Sequence, residues 1–220
     1  MTDSDKGWQA RASRVMEASD ESEVRDGYNA WAEDYDADHV NFGLFLLAHF
    51  VGLFCRHVAP NTTPILDAGA GTGRLGEVLS LHGYNGFVGI DLSPGMLEVA
   101  ASKPAYSETR VQRLGDRLDF DHDYFPVVVS LGAFAPNLAR ADAFDELIRI
   151  TRPGGLLVLS MRAGLEVETG FDYRRRKIET EGRWQYVDGI DSFVSHPELD
   201  SSIRYAIHVY RKCRHANHGA

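Results

Sequence analysis

Two carboxylates and a run of alternating glycines are the residues of this chain best suited to chemistry. Asp67 closes the apolar run Ile65-Leu66, and Ala68-Gly69-Ala70-Gly71-Thr72-Gly73 follows at once. Glycine adopts φ > 0 without steric cost and lets backbone come close to a ligand. Glycines at alternate positions therefore predict a loop wrapped around a bound group. The next apolar run, Gly86 to Ile90, ends on a second carboxylate, Asp91. In nucleotide-binding α/β folds an acid at this point grips the ribose diol, because a carboxylate offers two acceptor oxygens at diol spacing. The stretch Gly71-Thr-Gly73-Arg-Leu-Gly76 is also formally a G-x-G-x-x-G, with Asp91 near the distance expected of a dinucleotide fingerprint. A nicotinamide-dependent oxidoreductase is thus an alternative, opposed by Asp67, which would face and repel a pyrophosphate.

These residues need a frame of strands and helices. Glu21 to Tyr35 reads as a helix carrying Tyr28, Trp31 and Tyr35 at i, i+3 and i+7. A second helix covers about 42–58 and stops at Ala59-Pro60. Strands are expected near 64–67, 86–90, 108–113, 125–131, 155–162, 183–188 and 203–211. Helices are expected near 73–82, 95–102, 140–150 and 171–181. Alternating strands and helices imply a doubly wound α/β sheet. All-apolar strands such as Val127-Val128-Val129 suit a parallel sheet buried on both faces. Residues 1–20 are polar and read as a partly disordered or loosely helical segment. There are no internal repeats.

The 220 residues fit one domain. Hydrophobic residues at 44% and charged residues at 25% are globular values. A net charge of −9 repels phosphate backbones, so no nucleic-acid substrate is expected. Two cysteines far apart, Cys55 and Cys213, suggest a reducing compartment rather than a disulfide framework. The polar N-terminus lacks a signal-peptide core. The stretch from Phe42 to Val58 is too short and too polar to span a bilayer, so no membrane insertion and a cytoplasmic location are expected.

The motifs resemble those of class I S-adenosylmethionine-dependent methyltransferases. Asp67-Ala-Gly-Ala-Gly-Thr-Gly73 is similar to the glycine-rich motif of that family. Asp91-Leu-Ser-Pro-Gly-Met-Leu97 resembles its second-strand acid with the helix start after it, and Arg152-Pro-Gly-Gly155 the turn into its fifth strand. The tail from Phe171-Asp-Tyr to His208-Val-Tyr-Arg-Lys212 resembles the methyltransferase-like group named after the Williams–Beuren syndrome critical region. The resemblance implies a Rossmann-like sheet of seven strands, mostly parallel, with an antiparallel C-terminal hairpin edge and N-terminal lid helices. It implies one methyltransferase domain over 21–212: a helical lid at 21–58, a cofactor-binding core at 64–162 and a substrate-side segment with the hairpin at 163–212. Residues 213–220 form a tail.

The same resemblance implies S-adenosylmethionine as cofactor and S-adenosylhomocysteine as product. Asp67, Ala68, Gly69, Gly71 and Gly73 would receive the amino-acid portion, helped by the N-terminus of the next helix. Asp91 would take the ribose hydroxyls, and Leu92 and Met96 would cover the adenine. Gly115, Asp116 and Arg117 would lie at the adenine amino group, and Ser130 and Leu131 would line the cofactor. Tyr28-Asn-Ala-Trp-Ala-Glu-Asp-Tyr35-Asp resembles the Tyr-Asp-x-x-Ala-x-x-Tyr-Asp lid helix of small-molecule methyltransferases, with Asn29 where Asp is common. Its rings offer cation–π contact to a sulfonium, so Tyr28, Tyr35 and Trp31 join the cofactor residues. The loop after the fourth strand lacks an Asn-Pro-Pro-Tyr signature, which argues against bases and glutamine as acceptors. The expected reaction is in-line methyl transfer to a small molecule. A cofactor-binding protein without transferase activity is the alternative from another class.

No catalytic residue is assigned, and no motif marks a covalent nucleophile. Tyr28, Phe134 and Arg162 are the residues placed nearest an acceptor. The run Arg174-Arg-Arg-Lys177 reads as a solvated helix face, and Asp121-His-Asp123 as a loop. Cys213-x-His215-x-x-His218 reads as a tail rather than a metal site, and no metal is expected. The oligomeric state and the methylated atom are open.

Overall fold

The computed structural model describes residues 3–42, 44–135, 138–164, 170–197 and 200–214. Three helices come first: α1 (Asp3–Met16), α2 (Glu21–Phe42) and α3 (Leu44–His57). Strands and helices then alternate through β1 (Ile65–Ala68), α4 (Arg74–Ser80), β2 (Phe87–Asp91), α5 (Pro94–Ala101) and β3 (Tyr106–Val111). The chain continues through β4 (Phe125–Phe134), α6 (Ala143–Ile150), β5 (Thr151–Arg162), α7 (Phe171–Thr180), β6 (Trp184–Val194) and β7 (Arg204–Lys212).

The seven strands form one sheet in the order β3-β2-β1-β4-β5-β7-β6. The first five are parallel, and β7 runs antiparallel to both β5 and β6. This is the mostly parallel sheet with an antiparallel edge expected above. It differs from the dinucleotide order 3-2-1-4-5-6. β1 and β4 are neighbours, so the order reverses between them, and loops at their carboxyl ends open a crevice for a ligand.

Successive side chains of a strand face opposite sides of a sheet. Val127 and Val129 accordingly join α3, through Phe50 and Phe54, in one core. Val128, Leu157 and Leu159 join Phe144 and Leu147 of α6 and Ile178 of α7 in the other. Both faces are covered, which is why β4 is apolar without alternation. Burial of each such large side chain contributes about 1.5–3 kcal/mol.

The N-terminal segment differs from its expectation. Trp8, Ala12 and Val15, at i, i+4 and i+7, are buried against Val24 and Trp31. Asp38 of α2 accepts from Arg11 Nε at 2.9 Å and from Trp31 Nε1 at 2.7 Å, fixing α1 on α2. The polar average of the segment hides this narrow apolar stripe. The basic run on α7 is not merely solvated: Arg174 Nε donates to Asp145 of α6 at 2.8 Å, and Arg175 Nη2 donates to Asp172 at 2.5 Å. Among the described residues no single helix is long and apolar enough to cross a membrane.

Candidate functional site

The loop after β1 hangs on the end of β2. The backbone N–H groups of Gly69 and Ala70 donate to Ile90 O at 2.8 and 2.9 Å, and Gly71 N donates to Asp91 Oδ2 at 2.9 Å. Ser93 N donates to the other oxygen, Oδ1, at 2.9 Å, and Ser93 caps α5 by accepting from Met96 N. Gly71 has φ +54, and a Cβ there would meet nothing within 4 Å. That bare backbone borders a cleft. Burial raises the Asp91 pKa above the ordinary carboxylate value, and the N–H groups of Ser93, Gly71 and Leu92 oppose the rise.

The cleft, open to solvent, brings together Gly69, Gly71, Asp91, Leu92, Met96 and Leu131 with Tyr28 and Tyr35 of α2. The two phenol rings lie 6.3 Å apart, edge to face. Burial pushes both phenols up, so they stay protonated at neutral pH. α2 is tied down at two points. Asn29 Oδ1 accepts from Ser93 Oγ at 2.6 Å and from Gly95 N at 3.0 Å. Asp36 accepts from Thr72 Oγ1 at 2.6 Å and pairs with Lys103.

Other sequence-marked residues lie elsewhere. Trp31 turns its indole to Asp38 and lines a neighbouring cavity with Tyr28. Asp67 is fully buried and lines a third cavity with Thr72, Arg74 and His39. Ala68 and Ser130 are buried and bonded to each other, Ser130 Oγ donating to Ala68 O at 2.7 Å. Gly73 packs on Tyr106 and Ala100. Gly115 and Asp116 are exposed, and Asp116 accepts from Arg113 Nη1 at 2.9 Å. Arg117 lines a separate cavity with Val88, Glu108 and Arg110. β3 ends at Val111, so the chain crosses the cleft earlier, through Gln112, Arg113 and Leu114. His215 and His218 lie outside the described residues. Among the described residues no group of three His, Cys, Asp or Glu side chains could hold a metal ion.

Two polar atoms at these cavities were not singled out by sequence. The amide Nε2 of Gln112 is buried without a hydrogen-bond partner, while its Oε1 accepts from Asp119 N at 2.7 Å. That backbone donor fixes the amide orientation. Arg74 Nε, in the third cavity, is likewise buried without a partner. A buried donor left unsatisfied is costly, so each is suited to a ligand acceptor. A nucleoside beside Asp91 and Gln112, with an amino-acid carboxylate near Arg74, satisfies both. The residues present fit S-adenosylmethionine.

Comparison with known proteins agrees. Residues 65–155 match the family described as "Methyltransferase domain". The chain is 31% identical over 166 residues to human methyltransferase-like protein 27, covering 72% of this chain and 66% of that protein. It is 33% identical over 69 residues to the yeast (Saccharomyces cerevisiae) 18S rRNA (guanine(1575)-N(7))-methyltransferase, covering 31% of this chain and 25% of the relative. The chain thus spans slightly less than two thirds of the first relative and a quarter of the second. In structure it is similar to a TehB-like methyltransferase from Corynebacterium glutamicum, with TM-score 0.59 and 22% identity over 86% of this chain and 97% of that one. The dinucleotide reading of Gly71 to Gly76 falls with these matches and with the strand order. The chain belongs to the class I S-adenosylmethionine-dependent methyltransferases and is related to human methyltransferase-like protein 27.

Proposed function

We propose that this chain transfers a methyl group from S-adenosylmethionine to a small-molecule acceptor. The observation that carries the reading is a junction. Gly132, at the end of β4, lines the cleft of Asp91, the cavity of Asp67 and the cavity of Trp31. Its φ is +79 and a Cβ on it would meet nothing within 4 Å, so bare backbone marks where the three spaces meet. The cofactor residues are then Gly69, Gly71, Asp91, Leu92, Met96, Gln112 and Leu131, with Tyr28 and Tyr35 above them and Asp67 and Arg74 toward the amino-acid end. S-adenosylmethionine, when bound, supplies a methyl on a sulfonium, which becomes a neutral thioether as an acceptor lone pair takes the methyl and any acceptor proton is lost.

The chain's own part is alignment. Asp91 and the Gly71 backbone fix one end, the α2 tyrosines exclude water, and Gly132 leaves the approach open. Positioning of this kind can contribute roughly 7–11 kcal/mol to lowering a barrier. A general base is required only where the acceptor keeps its proton at the transition state, and none is assigned. An acceptor cavity roofed by α1 and α2 favours a small molecule over a polymer, although the yeast relative is named for action on rRNA. Both thiols are unpaired, in keeping with a reducing compartment such as the cytoplasm.

Calorimetric titration with S-adenosylmethionine, S-adenosylhomocysteine and NADH tests the site. The adenosyl ligands alone should bind. A screen of small acceptors for S-adenosylhomocysteine release then tests transfer. Binding without release above the protein-free rate across the screen would leave a binding protein instead of an enzyme.

A further inference from the structure

The cavity beyond Gly132 has a chemical character of its own. Its walls are Val15 of α1, Tyr28 and Trp31 of α2, Leu138, and Ile203 and Tyr205 at the start of β7. Arg162, the last residue of β5, enters this apolar wall. Its Cζ lies 6.0 Å from the centre of the Tyr205 ring. Among the described residues no ion pair or side-chain hydrogen bond engages Arg162. Among the described residues twelve other arginines pair with a carboxylate, as Arg149 with Glu146 and Arg113 with Glu21.

No Asp or Glu is among the described residues lining this cavity. His196 lines it too, and burial, with the Arg162 charge second, lowers its pKa to about 4. His196 is therefore neutral near pH 7. Burial pushes the Tyr28 and Tyr205 phenols up, so they are neutral as well. Among its described lining residues the cavity thus presents one formal charge, positive, at the edge of aromatic and aliphatic walls, and exposed Asp200 outside the lining lies near enough to feel the Arg162 charge.

We propose that this cavity binds an acceptor with an apolar body and a single carboxylate, the carboxylate pairing with Arg162. A guanidinium meets a carboxylate through two parallel N–H bonds, and the neutral walls take up the apolar part. A cationic acceptor would meet a like charge that exposed Asp200, outside the lining, offsets only in part. Arg162 is here a binding residue for the acceptor, and the proposal rests on the reading of the neighbouring cleft as the methyl-donor site.

The test uses three probes with one tail and different heads: octanoate, octanol and octylamine. Each is titrated calorimetrically into the full chain with S-adenosylhomocysteine and without it. Octanoate should bind about tenfold more tightly than either other probe, the size expected of a charge-assisted pair. Arg162→Gln should abolish that preference and Arg162→Lys, which keeps the charge without the two parallel N–H bonds, should retain only part of it. S-adenosylhomocysteine binding to Arg162→Gln reports that the fold and the donor cleft are intact. The proposal is overturned if octanol binds the wild type as well as octanoate, if octanoate does not bind, or if Arg162→Gln keeps the preference. Octanoate selectivity with no binding of S-adenosylhomocysteine would uphold the carboxylate site and reject the donor reading.

Discussion

The phenol of Tyr106 donates to the carboxylate of Asp67 at 2.6 Å, joining the first residue of β3 to β1 across β2 in the buried interior. Burial holds the Asp67 pKa up, to about 7 from an ordinary 3.8, and the Tyr106 hydrogen bond only partly offsets it. Between these two values the folded chain binds more protons than the unfolded one. Stability from this group is then present below pH 3.8 and lost as pH rises toward about 7. Asp67→Asn is neutral throughout, so its melting temperature should fall less than that of the wild type over the window. Parallel melting curves from pH 4 to pH 8, with equal slopes in both proteins, would reject the assignment.

Asp91 lines the cleft proposed to hold the methyl donor. Asp91→Ala removes the acceptor for Gly71 N and Ser93 N as well as any bond to a ribose. Its dissociation constant for S-adenosylhomocysteine should rise about tenfold or more. Each N–H left buried and unpaired should also cost about 1–3 kcal/mol of stability. Calorimetry beside thermal melting separates the two effects. Unchanged affinity would remove Asp91 from the cofactor residues.

Gly132→Leu places a side chain where three cavities meet. Affinity for S-adenosylhomocysteine and for octanoate should both fall, and by more than backbone strain explains. An L-residue at positive φ costs roughly 1–2 kcal/mol in stability. Gly182→Ala, at φ +66 in an exposed turn with open space around it, supplies that strain without touching the cavities. Equal binding losses in the two variants would deny Gly132 its place at the junction.

Asn29 accepts two hydrogen bonds from the start of α5. Asn29→Ala should loosen α2, raising amide exchange along Glu21–Phe42 and weakening S-adenosylhomocysteine binding several-fold, about 1 kcal/mol per lost bond. Exchange confined to wild-type rates would show that the Asp36 tie seats the helix alone.

The centre of the sheet was legible because β1, β2, β4 and β5 each carry an apolar run bounded by turn residues or an acid. β1, β2 and α5 lie within a residue or two of their expected ends. Asp91 and the glycine loop were legible for the same reason, since their chemistry is local in sequence. Gln112 and Arg74 were not. Their significance is a missing partner, and partners are set by strand order. Arg117 fell elsewhere because β3 begins at Tyr106 rather than two residues later. For Tyr28, Trp31 and Tyr35 the spacing gives a shared helix face. Only α1, with its ion pair to Asp38, decides that the indole of Trp31 turns from the cleft.

α2 touches the glycine loop through Asp36 and Thr72, and the mouth of α5 through Asn29 and Ser93. It also supplies the tyrosines that cover the cleft. If the cleft holds the donor as proposed, a spent nucleoside beneath the tyrosines would leave only as that helix lifts, breaking both clasps together. The latch would then also be a clock, its tightness setting how long product lingers before the next round.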